Sequence, residues 1–412
     1  MDTRLLKLTV SNFRTLAKVS LPLGPLTVLV GPNAAGKSNV FHAFDFLANV
    51  VQSGIEPTLA ALGTYEVGEP RLGYDEVAYR GGKRTTAELS IGVEGLWTEF
   101  ATEADPDRYD LSLLYRRRPG EVAETQRILS RSESLVQHIA PDSRSTIEVM
   151  REAITVSRSD GTESAPPKLK TGRLDSVLHT GLNALPPGLE RAAVQALSSR
   201  FGGVRVFEVD VRAARKPAPI TSDKNPRLKD DGSNLADFLK DLKRDHDAWD
   251  AFMEDIRAVL PSIEDIDIRD ITQDRIAVEL QERGLRGRTT LRDASFGTVR
   301  LLCLLALFHD PNPQVLTCIE EIDHGIHPHS LELLAHRLRE ASERTQFLVT
   351  THSPVFVNQL ELRELVVCER DDLGRSRIPA ISQDLMHEVI VATEGMPPGE
   401  VWFSGALGGG SW

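Results

Sequence analysis

Apolar residues along this chain alternate, run together and recur at helical spacing in an order that predicts an α/β protein. Leu5 to Val10 reads as a strand, and Leu26 to Val30 as a buried one bounded by Pro25 and Gly31. Between Ser38 and Val51, apolar side chains return at 40, 43, 44, 47, 48 and 51, the spacing of one helix face. Alternation at Ala87–Glu94 suggests antiparallel strands flanking this unit. From about 101 to 200 the texture turns polar, rich in Arg, Ser and Glu. Short helical patterns at Ser145–Val156 and Leu189–Ser198, with a loop at Gly161–Gly172, predict a mainly helical insertion there. No heptad seam is sustained, which argues against a long coiled-coil arm. Strand character returns at Val204–Val211, helices fill Asn234–Leu260, and Ile263–Ile268 with Arg275–Leu280 reads as a strand pair. A helix at Leu301–Phe308, a strand at Val315–Ile319, a helix at Leu331–Leu338 and strands at Phe347–Thr350 and Leu365–Cys368 complete the pattern.

Chemistry enters at the turn between the second strand and the first helix. Gly31-Pro-Asn-Ala-Ala-Gly36-Lys37-Ser38 fits G-x-x-x-x-G-K-[ST] in the required strand–turn–helix setting. Its glycines let backbone N–H groups and a helix N-terminus face an anion. Lys37 adds a charge for β- and γ-phosphates, and the Ser38 hydroxyl can ligate Mg²⁺. The strand Val315–Ile319 delivers two adjacent carboxylates, Glu320 and Glu321, to its C-terminal end, the edge of an α/β sheet where ligands bind. One of the two can hold the magnesium shell while its neighbour polarises a water for attack on the γ-phosphate. Phe347–Thr351 ends in His352, an imidazole placed to touch the γ-phosphate or that water. Ser295 and Gly297, at the start of the 301–308 helix, form a second candidate anion site. His324, His327, His329 and His336 are clustered and could instead bind zinc, although Pro328 at a helix start explains the segment without metal.

Composition narrows the classes. The chain of 412 residues is 41% hydrophobic and 26% charged, ordinary for a globular protein with ample core material. The longest apolar run, Leu301 to Phe308, is far short of a bilayer span, so no membrane partner is expected. Cys303, Cys318 and Cys368 lie apart in apolar stretches and read as buried, reduced thiols in a cytoplasmic protein. The net charge of −12 hides an asymmetry, with residues 111–229 at +7 and the remainder at −19. Arg116-Arg117-Arg118 and Arg212–Lys216 are candidate DNA-phosphate contacts, or equally a solvated charged face.

Together these residues resemble an ABC-type ATPase head of the SMC/RecF/OLD group. Lys7–Arg14, containing Asn12-Phe13-Arg14, resembles the group's opening NFR strand, and Gly31–Asn39 its GPNGAGKSN loop. Glu320–Pro328 resembles the Walker B and D-loop of OLD-like members, EEPE-x-G-x-HP, and Thr350–Pro354 their THSP switch. Asp293–Thr298 resembles the signature motif, while Val206–Arg212, Asp231–Leu235 and Gly399–Gly405 resemble further stretches of compact members. The departures are Ala34 for a loop glycine, Phe296 in the signature, Ile322 for a proline, and no clear Q-loop glutamine.

The resemblance implies an α/β P-loop NTPase fold with a mixed sheet and flanking helices. The head would be split into residues 1–100 and 201–412 around the 101–200 insertion. It implies Mg²⁺ and ATP, held by Asn33, Ala34, Ala35, Gly36, Lys37, Ser38 and Asn39, with Phe13, Arg14 and Asp323 nearby. Ser295, Gly297 and Thr298 would meet the nucleotide of a second subunit in a homodimer or higher oligomer. Only 60 residues follow His352, too few for the TOPRIM nuclease domain of many OLD proteins. A separate effector, a nuclease or a toxin, is therefore the expected partner, with DNA as a further one and anti-phage defence as the setting. A slow ATPase that restrains a toxic partner and a RecF-like repair ATPase are the alternatives. A transporter motor fits least.

Overall fold

The computed structural model describes residues 4–62, 73–79, 81, 88–117, 127–159, 169–185, 187–221, 226–393 and 395–408. Strands of three or more residues and helices of ten or more are labelled. The chain opens with β1 (Arg4–Phe13), β2 (Leu16–Pro22), β3 (Leu26–Val30) and α1 (Lys37–Ser53). It continues through β4 (Leu89–Leu96), β5 (Asp107–Arg117), β6 (Arg127–Ala140), β7 (Ser143–Met150), β8 (Ala153–Arg158), α2 (Leu189–Phe201) and β9 (Val204–Phe207). Next come α3 (His246–Val259), β10 (Ile263–Asp270), β11 (Arg275–Glu282), β12 (Arg288–Thr290) and α4 (Phe296–Phe308). The last are β13 (Leu316–Ile319), α5 (Pro328–Ser342), β14 (Gln346–Thr350), β15 (Leu365–Val367) and α6 (Gln383–Ala392).

A five-stranded sheet in the order β9-β13-β14-β3-β15 is parallel throughout and carries the site. Its strands are buried on both faces, as the continuous apolar runs require. Side-chain alternation divides them between two cores. Val28 and Val30 of β3, Phe347 and Val349 of β14, and Leu365 and Val367 of β15 face the core built on α3, α4 and α5. Leu29, Leu348 and Val366 face the core shared with α1 and the antiparallel sheet. Helix α4 is enclosed, with every residue from Val299 to Phe308 buried. Leu302, Leu304 and Leu305, none of them exposed, contribute ~1.5–3 kcal/mol each.

The antiparallel sheet has eight strands in the order β2-β1-β4-β5-β6-β7-β8, closed by Leu169–Lys170. This corrects the expectation of a helical insertion at 101–200. The 145–156 segment is a β-hairpin, turning at Arg151, with Ile147, Val149 and Ile154 buried on one face. A β-branched run can read at either period, and pairing with β6 decides for the strand. Nor is the segment a separate body, because β5 pairs with β4 over Leu89–Gly95 and so extends the sheet begun by β1. Of the expected helices there, Leu189–Phe201 forms. Most of the loop at 161–172 lies outside the described residues. The strand expected at Val204–Val211 ends at Phe207, where Asp210 accepts from Arg212 and Ala213 N–H and caps a short helical turn.

A buried polar cluster ties β6 to the chain returning toward the head. Arg131 and Glu133, two residues apart and so on the same face, sit 3.3 Å apart with fully buried side chains. Glu133 also accepts from Tyr109 Oη and Ser176 Oγ, both at 2.8 Å, and from Val177 N–H. Arg131 Nη2 donates to the Gly172 carbonyl. Among the described residues, no helix is long and apolar enough to cross a membrane.

Candidate nucleotide site

Strand β3 delivers the phosphate loop. Gly31 takes φ +149°, and a Cβ there would stand 2.1 Å from the Cys368 carbonyl just past β15. Gly36 takes φ +101° and opens α1 with no side-chain cap, which leaves the Lys37 and Ser38 N–H groups for an anion. Ala34 sits at φ +64°, so the loop keeps its left-handed turn despite the Cβ, at a cost of ~1–2 kcal/mol. Lys37 Nζ donates to the Gly31 and Pro32 carbonyls at 2.8 and 3.0 Å. Burial pushes its pKa down.

Strand β13 brings the carboxylates. Glu320 accepts a hydrogen bond from Ser38 Oγ across 282 residues of sequence. Hydroxyl and carboxylate oxygens are hard donors and fit Mg²⁺. Glu321 stands at φ +46°, with its N–H donated to Thr350 Oγ1 at 2.8 Å. Arg300, from the buried face of α4, donates Nη2 to the carbonyls of Glu320 (3.0 Å) and Glu321 (2.7 Å). The Glu321 carboxylate lies 3.3 Å from His324 Nδ1. Asp323 Oδ1 accepts from Thr351 Oγ1 and from the His352 N–H at 2.6 and 3.2 Å, locking the D-loop to the switch. Burial, then the Lys37 ammonium, hold His352 below the ordinary imidazole range.

These groups line one cleft of about 250 Å³, bounded by Thr15, Asn33, Ala34, Gly36, Lys37, Ser38, Asn39, Glu320, Glu321, Thr350, His352 and Arg370. Nine expected residues are thus brought together; Ala35 is buried and does not line the cleft. Phe13 belongs to the core, edge-on to Phe46, and Arg14 lines a neighbouring pocket with His42 and Asp45. Ser295 caps α4 by accepting from Thr298 N–H at 3.1 Å, away from this cleft. Gly297 has no room for a Cβ, which would lie 2.5 Å from the Gly325 carbonyl of the D-loop. His327 caps α5 and His336 lies beside Glu340. Among the described residues, no group of three or more His, Cys, Asp or Glu is arranged for a metal.

Thr15, Arg300 and Arg370 were not anticipated. Arg300 does leave a signal, as the one charge in the apolar stretch 299–308. Arg215, read as a candidate DNA contact, donates to the Ala294 carbonyl at 2.5 Å and anchors the signature turn. Arg118 lies outside the described residues, as do the side chains of Arg116 and Arg117. The three cysteines are free and buried.

Residues 185–358 match a family described as "AAA domain, putative AbiEii toxin, Type IV TA system", and residues 4–68 match an AAA ATPase domain family. A stretch of 41 residues is 54% identical to an OLD nuclease of Thermus scotoductus, covering 10% of this chain and 8% of that nuclease. In structure the chain is similar to an SMC head bound to the C-winged helix domain of ScpA, at TM-score 0.55 and 14% identity, covering 94% and 100% of the two chains. It is also similar to the Pyrococcus furiosus SMC head with an extended coiled coil, bound to the C-terminal domain of ScpA. There the TM-score is 0.50 at 13% identity, covering 95% and 99%. The chain has the fold of the SMC heads and, over two stretches, matches AAA-type ATPase families. The two family matches bracket the antiparallel extension formed by β4 to β8, and the site residues Lys37, Glu320, Glu321 and His352 fall within them.

Proposed function

We propose that this head binds Mg²⁺–ATP in the cleft and hydrolyses it to ADP and phosphate. The Ser38–Glu320 hydrogen bond carries the reading, because it joins the phosphate loop to the paired carboxylates at one point. Lys37 leaves the loop carbonyls for the β- and γ-phosphates, where its charge is better compensated. Ser38 and Glu320 would hold the magnesium ion, which supplies charge neutralisation between the phosphates. Glu321 accepts the proton of the attacking water. His352, neutral through burial, faces the γ-phosphate end with its backbone fixed by Asp323. The signature Ser295, Gly297 and Thr298 stand outside the chain's own cleft, which supports closure of two copies around ATP.

The nucleotide cycle would drive a separately encoded effector, a nuclease or toxin, on or near DNA in bacterial defence. The match to the AbiEii toxin family and the likeness to ScpA-bound heads support a protein partner. The same match favours a second reading, in which slow hydrolysis keeps a toxic partner restrained. Glu321→Gln should bind ATP, hydrolyse almost none and accumulate as a dimer by mass measurement. Hydrolysis at the wild-type rate would show that Glu321 is not the base.

A further inference from the structure

Besides Lys37, the cleft is lined by a second strong cation, Arg370. In the order β9-β13-β14-β3-β15, Glu320, Glu321 and His352 follow strands on one side of the phosphate-loop strand. Arg370 follows β15, on the other side. A nucleotide with its γ-phosphate at Glu321 and His352 would extend its nucleoside toward Thr15, Asn39 and Arg370.

Arg370 belongs to a small hairpin, Glu369–Arg370 paired with Ser376–Arg377, that is fastened to the phosphate loop. Ser376 N–H donates to the Thr15 carbonyl at 2.9 Å, and the two hydroxyls share a hydrogen bond at 2.7 Å. Asn39 Nδ2 donates to Thr15 Oγ1 at 2.7 Å. Gly36 admits this packing, since a Cβ there would lie 2.1 Å from Ser376 Oγ. Within the hairpin, Arg370 Nε donates to the Gly374 carbonyl at 3.1 Å, so the guanidinium is held along the turn.

Among the described residues, Arg370 has no carboxylate within ion-pair distance. Its neighbour Asp371 is engaged by Arg375 at 2.7 Å instead. Among the described residues that line the cleft, His352 is the one ring. A guanidinium is planar, weakly hydrated and stacks on π faces, which suits it to a nucleotide base.

We propose that Arg370 is the base-side ligand of the nucleotide, its guanidinium plane laid against the purine. The proposal rests on the nucleotide reading above. Its test is a titration of Mg²⁺–ATP, Mg²⁺–ADP and inorganic tripolyphosphate against the full chain, comparing wild type with Arg370→Ala, Arg370→Lys and Arg370→Tyr. Arg370→Ala should weaken ATP and ADP alike by about tenfold and leave tripolyphosphate within about twofold. Arg370→Tyr should restore most of the loss, because it returns a flat surface, and Arg370→Lys should not.

An equal loss for tripolyphosphate, or rescue by lysine and not tyrosine, would make Arg370 a phosphate contact and overturn the assignment. Unchanged ATP affinity in Arg370→Ala would overturn it as well. The nucleotide reading is judged separately by Lys37→Ala, which should lose both ATP and tripolyphosphate.

Discussion

Arg300→Met tests whether helix α4 positions Glu321, the carboxylate proposed as the base. Arg300 is 7% exposed and reaches from α4 to the carbonyls of both Glu320 and Glu321. Hydrogen bonds from a charged donor contribute ~1.5–3 kcal/mol each. Burial lowers the Arg300 pKa, and its Nε has no hydrogen-bond partner, so part of that gain is spent on desolvation. Methionine keeps the apolar stem, and the net loss should be ~2 kcal/mol of stability. The larger effect should be on rate. Glu321 is held at φ +46°, a conformation that costs ~1–2 kcal/mol, by Thr350 and Arg300 together. Without Arg300 the backbone relaxes, and a carboxylate displaced by ~1 Å costs ~100-fold in rate. Lys37 and Ser38 are untouched, so ATP affinity should stay within about threefold. Urea unfolding, an ATP titration and steady-state phosphate release measure the three quantities. A kcat near wild type, with the stability loss present, would refute the positioning role and leave Arg300 a structural residue.

Two further outcomes follow from buried charge. Glu133→Ala strands Arg131 in the antiparallel sheet and should cost ~3–5 kcal/mol in urea unfolding. A loss under ~1 kcal/mol would mean that the pair is not holding the extension. His352 has its pKa depressed, so it stays neutral at pH 7, and the unfolded chain binds the proton more readily. Its contribution to stability is therefore present above the ordinary value of 6.5 and declines as pH falls below it. The acid limb of kcat/KM should lie below pH 6.5 and vanish in His352→Gln; an identical limb in that variant would assign it to another group.

The sequence by itself marked the strands of the central sheet and the residues that gather at their ends. Strands buried on both faces must be apolar throughout, and Val28, Cys318 and Val349 lie in such runs, each ending at a polar motif. That Lys37, Ser38, Glu320, Glu321 and His352 meet in one cleft could be expected from local pattern, because each follows the end of a strand in the sheet. Tertiary structure alone decided the 101–200 region. Its β-branched segments are ambiguous between periods until a partner strand fixes the register, and pairing with β4 made them one sheet with the N-terminal strands.

Tertiary structure also decided which distant groups meet. Nothing near Ser376 in sequence points to Thr15, and nothing near Arg370 points to the phosphate loop, because the hairpin gains its place only after β15 pairs with β3. Arg300 showed itself as a charge among leucines, but its partners, two main-chain carbonyls, carry no side-chain signature. Main-chain acceptors are present at every residue. Only the fold selects which ones a buried cation will reach.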